Sequence, residues 1–191
     1  MMAKKSEYHE IIITGFGGQG IILAGNILGK SATLFEKKNA TLIQSYGPEA
    51  RGGSCAAQVV VSEENIEYPY VENPHVLICM SQEGFDKNIS MLIKGGTLFT
   101  DSGLVEIEKK RIPKGAKVHS IPATRFAEEM GVKMMANIIM LGFVTAVTKL
   151  VSYGALKKAV ATSVPKGTEE NNMAGLERGY QYGMDLKPKK T

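Results

Sequence analysis

Gly15, Gly17 and Gly20 stand at the spacing G-x-G-x-x-G, within Gly15-Phe16-Gly17-Gly18-Gln19-Gly20. An apolar run from Glu10 to Thr14 precedes them, and a helix-like run from Ile21 to Lys30 follows. Between strand and helix this spacing has a physical meaning. Gly15 permits the tight turn, Gly17 lets backbone approach a ligand, and Gly20 lets helix pack on strand. The N–H groups of Gly17 to Gly20 then point at an anion such as phosphate or pyrophosphate. Gln19 adds an amide able to orient a polar ligand or a partner residue. A dinucleotide site also expects a carboxylate at the end of the next strand, to hold a ribose hydroxyl. The next strand, Ala40 to Ser45, ends in Gln44 and Ser45, so that signature is incomplete.

A second loop follows that strand: Tyr46-Gly47-Pro48-Glu49-Ala50-Arg51-Gly52-Gly53-Ser54. Connectors need only polar turn residues. A carboxylate and a guanidinium inside a glycine-rich stretch point instead to a fixed, functional loop. Tyr46, Glu49 and Arg51 mark its rim. Arg51 either pairs internally with Glu49 or holds a phosphate-bearing cofactor arm, which a guanidinium suits. In a doubly wound sheet, loops after the first two strands leave from the same ligand-binding edge. The two loops are therefore expected to be neighbours in space.

Other reactive side chains are sparse. His9, His75 and His119 have no nucleophile motif around them, and each reads as structural. Asp101 and Ser102, at the end of a strand, read as turn residues ahead of ligand contacts. Cys55 and Cys79 lack C-x-x-C spacing and read as buried reduced thiols. The glycine loop lacks the Lys-Ser/Thr ending of a P-loop. No catalytic residue and no metal ligand is assigned.

The elements that must position these loops follow from the apolar pattern. Strands are expected at 10–14, 40–44, 55–61, 75–80, 97–100 and 118–121, with a short edge strand at 66–70. Helices are expected over 18–37, 85–92, 125–130, 134–151, 154–162 and 168–182. Ser81, Thr124 and Ser152 are the expected caps. In the long apolar helix, Gly142 and Ala146 would admit another backbone, and its methionines are expected in the core. Asn171, Asn172, Glu177 and Arg178 give the last helix an exposed or partner-facing side. The expected fold is α/β, a Rossmann-like three-layer sandwich with a mostly parallel, mixed sheet and helices on both faces.

Length bounds the rest. One domain spanning 1–191 is expected, with an ordered core at about 8–183 and basic tails carrying Lys4, Lys5, Lys187, Lys189 and Lys190. The net charge is +4, and no basic stripe with interleaved aromatics appears, so nucleic acid is not an expected partner. The longest apolar stretch, around Ile138 to Val147, is too short for a membrane span. No signal peptide opens the chain, and a soluble cytoplasmic protein without a membrane partner is expected.

The two loops, together with Met135-Ala136-Asn137-Ile138-Ile139-Met140-Leu141-Gly142 and the ending Pro165, Glu170, Asn171, Ala174 and Gly179, carry a resemblance. Over residues 8 to 183 the chain resembles the gamma subunit, or gamma domain, of 2-oxoacid:ferredoxin oxidoreductases, most closely the 2-oxoglutarate (KorC-type) enzymes. That resemblance implies oxidative decarboxylation of a 2-oxoacid, with electrons passing to ferredoxin and the acyl group to coenzyme A. It implies thiamine diphosphate and iron–sulfur clusters in partner subunits, none bound by this chain alone. The implied partners are thiamine-binding alpha and beta subunits and a ferredoxin-like delta subunit. The implied site residues, at a shared coenzyme A site, are Gly15, Gly17, Gly18, Gln19, Gly20, Tyr46, Gly47, Pro48, Glu49, Arg51, Gly52 and Gly53. Self-association of the isolated chain as a homodimer stays open. So do a free-standing dinucleotide-dependent oxidoreductase and a non-enzymatic ligand-binding domain.

Overall fold

The computed structural model describes residues 8–47 and 53–186. In chain order it contains β1 (Tyr8–Phe16), α1 (Ile21–Glu36), β2 (Asn39–Tyr46), β3 (Ser54–Ser62), β4 (Val76–Cys79), α2 (Gln82–Asn88), β5 (Thr97–Asp101), β6 (Lys117–Ile121), α3 (Ala123–Glu129), α4 (Ala136–Thr148), α5 (Tyr153–Ala161) and α6 (Glu169–Asp185). The sheet order is β2-β3-β1-β4-β5-β6. β1, β4, β5 and β6 pair in parallel, while β3 pairs antiparallel with both β1 and β2. β2 therefore runs in the same direction as β1, although β3 separates them. The mixed sheet and the helices on both faces match the expected fold class.

Ile11, Ile12 and Ile13 are almost fully buried on consecutive positions of β1, because both faces of that central strand are covered. Ile11 and Ile13 join the larger core with α1, α3, α4, α5 and α6. Ile12 joins the smaller core, where Phe85 of α2, Ile89 and Leu92 lie. α4 is buried from Ala136 to Ala146 on every side, as a helix that is apolar all round must be. α6 closes over it. A Cβ on Gly142 would land on the Leu176 carbonyl oxygen, and one on Gly179 would land on the Ile139 carbonyl oxygen. Gly175, Gly179 and Gly183 recur every four residues, so their row forms the groove into which α4 fits. The backbone approach expected at Gly142 and Ala146 is thus made by α6, and Met135 and Met140 are core residues.

Four expectations need correction. Residues 66–70 form no strand. That loop is pinned by side chains instead: Glu10 Oε2 accepts from the Glu72 and Asn73 N–H groups at 2.8 and 2.6 Å, and Gln58 Oε1 accepts from Val71 N–H. α1 starts at Ile21 rather than 18, because Gly18 and Gly20 hold positive φ values outside the helical well. Thr124 is no cap; its N–H and hydroxyl both donate to Asp101 Oδ2, which serves the start of α3 from β5. The side of α6 expected to be exposed or partner-facing is so only in part: Asn171 and Arg178 are exposed, but three of the four residues also make contacts within the chain. Asn172 is buried and donates to Thr168 O, Glu177 accepts from the Tyr153 hydroxyl, and Arg178 lies over the Phe126 ring at 4.4 Å. Ser81 and Ser152 cap α2 and α5 as expected.

Two measurements test this architecture. Gly179→Ala should lower the unfolding free energy by about 3 kcal/mol, since backbone meets backbone there and no side chain can rotate away. Gly154→Ala, where a Cβ meets nothing within 4 Å, should stay within about 0.5 kcal/mol. The second test is titration. His119 stacks on Phe99 at 5.4 Å, and burial, aided by Lys117, pushes its pKa below the ordinary 6.5. The unfolded chain therefore takes this proton more readily than the folded one. The His119 contribution to stability should be complete above pH 6.5 and lost as pH falls below it. Thermal melts from pH 8 to pH 5 should fall less steeply for His119→Gln than for the parent chain; equal slopes would contradict it.

Candidate functional site

The glycine loop and the second loop meet at the carboxyl edge of the sheet. Gly17 N–H donates to Gly53 O at 2.8 Å, and Gly47 N–H donates to Ser54 O at 2.6 Å. The neighbourhood expected from the sequence is present, by a different route. β3 returns between β2 and β1, so the second loop enters beside the first through β3.

The glycine loop is held from two further sides. Gln19 Oε1 accepts from Phe16 N–H at 2.7 Å, and Gln19 Nε2 donates to Met80 O, at the end of β4, at 2.9 Å. Asn137 of α4 donates from Nδ2 to Gly20 O at 3.0 Å, and its Oδ1 accepts from Ile138 N–H. Gly20 lies in the left-handed region at φ 72°, and a Cβ there would strike the Asn137 amide. Gly15 is similarly closed in by Gln19 and Ile21. The glycines are therefore needed for fit as well as for turning.

These bonds narrow the expected anion cradle. Gly17 N–H goes to Gly53 O and Gln19 N–H to Phe16 O. Gly18 and Gly20 are the loop amides that no described residue accepts from. The start of α1 carries no side-chain cap and no acidic residue in its first turn, so its positive dipole end stays uncompensated by side chains. A dinucleotide fits this edge poorly. The β2 end that would meet a ribose lies two strand spacings from β1, roughly 10 Å away, and Gly53 already occupies the side of Gly17.

Beside Gly47 and Ser54, residues Thr14, Tyr46, Cys55, Lys87 and Asn88 help line a cleft of about 200 Å³. Tyr46 stands on the rim, with its hydroxyl donating to Gln44 Oε1 at 2.8 Å. Lys87 pairs with Glu83 and donates to Ser54 Oγ at 3.2 Å. Burial raises the Cys55 pKa and raises that of Cys79 far more, so both thiols stay protonated. Asp101 is fully buried, with Oδ1 accepting from Gly103 N–H and Oδ2 held by Thr124, which supports its reading as a turn residue. Pro48, Glu49, Arg51 and Gly52 lie outside the described residues.

Sequence reasoning gave Asn137 and Lys87 no role. An Asn inside a wholly apolar helix was a usable signal, because a buried amide demands partners. Lys87 offered none, since its place beside Ser54 depends on tertiary packing.

An α/β sheet with a glycine loop clamped by a second glycine-rich loop defines the class, and comparison with known proteins specifies it. The chain belongs to the pyruvate ferredoxin/flavodoxin oxidoreductase family, whose profile spans residues 10–182. It is 46% identical over 179 residues to the 2-oxoglutarate synthase subunit KorC of Methanocaldococcus jannaschii, covering 93% of this chain and 95% of that one. The gamma subunit of a keto/oxoacid ferredoxin oxidoreductase from Geobacter sulfurreducens superposes with a TM-score of 0.81 at 34% identity, covering 93% and 99% of the two chains. The 2-oxoglutarate:ferredoxin oxidoreductase of Magnetococcus marinus, solved with 2-oxoglutarate, coenzyme A and succinyl-CoA, shares the fold with a TM-score of 0.84 at 21% identity. There 95% of this chain covers 32% of the longer one. The resemblance to gamma-type subunits is borne out. Among the described residues no helix is long and apolar enough to cross a membrane.

Asn137→Ala should cost about 2 kcal/mol by removing the tether on Gly20 O. Amide exchange across Gly20 to Leu23 should quicken beyond that of the rest of α1. A uniform change along the helix would show that the tether does not hold the loop.

Proposed function

We propose that this chain is the gamma subunit of a multisubunit 2-oxoglutarate:ferredoxin oxidoreductase, and that residues 8–183 act as one gamma-type domain with basic tails outside it. The observation that carries this reading is the 46% identity, over 93% of this chain, to a 2-oxoglutarate synthase subunit. In the reaction the 2-oxoacid loses its carboxylate as carbon dioxide, its acyl group passes to the coenzyme A thiol, and the electrons pass to ferredoxin. Thiamine diphosphate, held by a partner subunit, would supply the carbanion stabilisation that the decarboxylation needs.

This chain's own residues suit a contributing role. The cleft of about 200 Å³ is below the roughly 300–1,000 Å³ of sites that enclose a ligand by themselves. It would hold one part of coenzyme A while a neighbouring subunit covers the remainder. The Gly18 and Gly20 amides, Lys87 and Ser54 are the described donors suited to its phosphates; Arg51, from the second loop, is proposed to join them. Tyr46, at 67% exposure, is an aromatic anchor for the partner surface. Cys55 and Cys79 lie buried on separate strands as protonated thiols, which suits packing rather than cluster ligation. The proposed partners are thiamine-binding alpha and beta subunits and a ferredoxin-like delta subunit, with ferredoxin as acceptor. The proposed compartment is the cytoplasm.

Anaerobic recovery of the tagged chain from its own cells tests the reading. Thiamine- and cluster-bearing partners should accompany it. Coenzyme A-dependent dye reduction should be fastest with 2-oxoglutarate, against pyruvate and branched 2-oxoacids, while the isolated chain should be inert. Recovery of the chain alone, with no reduction, would overturn it. In the recovered complex, Arg51→Ala should raise the KM for coenzyme A about tenfold with assembly intact; loss of assembly alone would move Arg51 to the subunit contact.

A further inference from the structure

The chain's three histidines line one cavity at the sheet edge opposite the glycine loop. His9 lies near the start of β1, His75 just before β4, and His119 within β6. With Lys117 and Thr148 they line a cavity of about 330 Å³, closed on one side by the end of α4. The His9 and His75 rings meet edge-on at 6.1 Å. His75 Nδ1 accepts from Glu10 N–H at 3.1 Å, so the neutral ring carries its proton on Nε2. His119 has one face on Phe99.

The charges around this cavity decide what it takes. Backbone amides along its floor are already used: Thr97 N–H donates to His75 O and Lys117 N–H to Gly96 O. Glu10, on the same strand as His9, commits its carboxylate to the Glu72 and Asn73 amides. Lys94 and Lys149 flank lining residues in the sequence, and Lys114 O accepts from Gly95 N–H of the lining turn. Three imidazoles could also suggest a metal. Lys117 opposes a cation, and no group of three ligating side chains is placed to hold a metal among the described residues. The lining is thus rich in side-chain N–H donors beside a fixed positive charge.

We propose that this cavity binds a small oxyanion, a phosphate or carboxylate group, held by Lys117 and the imidazole N–H groups of His75 and His119, with His9 on its wall. The assignment does not depend on the chain's place in a complex. His75 contributes its Nε2–H, because its Nδ1 accepts from the Glu10 N–H. His119 takes up a proton as the anion enters. The C-terminal end of α4, with its partial negative charge, favours that imidazolium form but opposes the anion, so Lys117 and the added proton must outweigh it. Without an anion, burial and Lys117 hold His119 neutral, so binding and proton uptake are linked. Affinity rises as pH falls.

The test follows the histidine ring signals of the full chain by NMR at constant ionic strength. Sulfate keeps its charge between pH 6 and pH 8, so it isolates the protein's own titration. It should shift all three rings saturably, about tenfold more tightly at pH 6. Inorganic phosphate and succinate, compared at pH 6, decide which oxyanion is preferred, and saturable binding of either supports the site. Lys117→Gln should weaken binding about tenfold and Lys117→Arg should retain it, both with unchanged circular dichroism. His119→Gln should flatten the pH dependence. Unshifted rings with every anion at pH 6, or shifts indifferent to Lys117→Gln, would overturn the proposal. Tight zinc binding that shifts all three rings, in place of anion binding, would equally overturn it.

Discussion

The Gly17 N–H to Gly53 O hydrogen bond closes the carboxyl edge of this sheet, and much else depends on it. It forms because β3 returns antiparallel between β2 and β1. In a purely parallel arrangement β2 would lie beside β1, and the Gly17 amide would face a ligand. Here backbone takes that place. The glycine spacing familiar from dinucleotide sites is turned to fastening one loop to another. The amides that remain, at Gly18 and Gly20, sit at the start of α1, where an anion has the most to gain from the helix dipole.

The loop is rigid because its supports are rigid. Gln19 fastens it to the end of β4, and Asn137 fastens it to α4. α4 in turn is pressed against α6, with backbone meeting backbone at Gly142 and Gly179. Such contact leaves little room for either helix to slide, since packed interiors yield poorly. The path from the α4–α6 seam through Asn137 to Gly20 is short and made of bonded groups. The gamma-type relatives share this fold along nearly their whole length, as expected if the seam and the loop act as one unit.

The parts legible in the sequence were those encoded by local pattern. Consecutive isoleucines in β1 announced a strand buried on both sides, and an unbroken apolar run announced α4. Glycines beside a strand announced the loop, and Ser81 and Ser152 announced their helices. What escaped was decided by partners far along the chain. Asn137 reaches Gly20 across 117 positions, and Asp101 displaces Thr124 as the support of α3 from another strand. The segment 66–70 carries strand-forming residues, yet Glu10, Gln58 and Thr41 capture its surroundings first. Gathering three histidines into one cavity required the register of β1, β4, β5 and β6, which no local pattern encodes. Tertiary satisfaction of buried polar groups overrode propensity in each case.

The carboxyl edge has few side chains free to do chemistry, and the reason is electrostatic. A reactive group must be both poised in charge and reachable. Asp101 is reachable by nothing, with its oxygens spent on Gly103 and Thr124. Lys87 is paired with Glu83, and Cys55 is held protonated by burial. Among the described residues, these three groups are therefore engaged from within the chain. What the described part of the edge presents is shape, two backbone amides, the Lys87 and Ser54 donors of the cleft and an exposed Tyr46. Such a surface is suited to recognising and positioning a ligand, which agrees with the division of labour expected of a subunit whose relatives work within oxidoreductases.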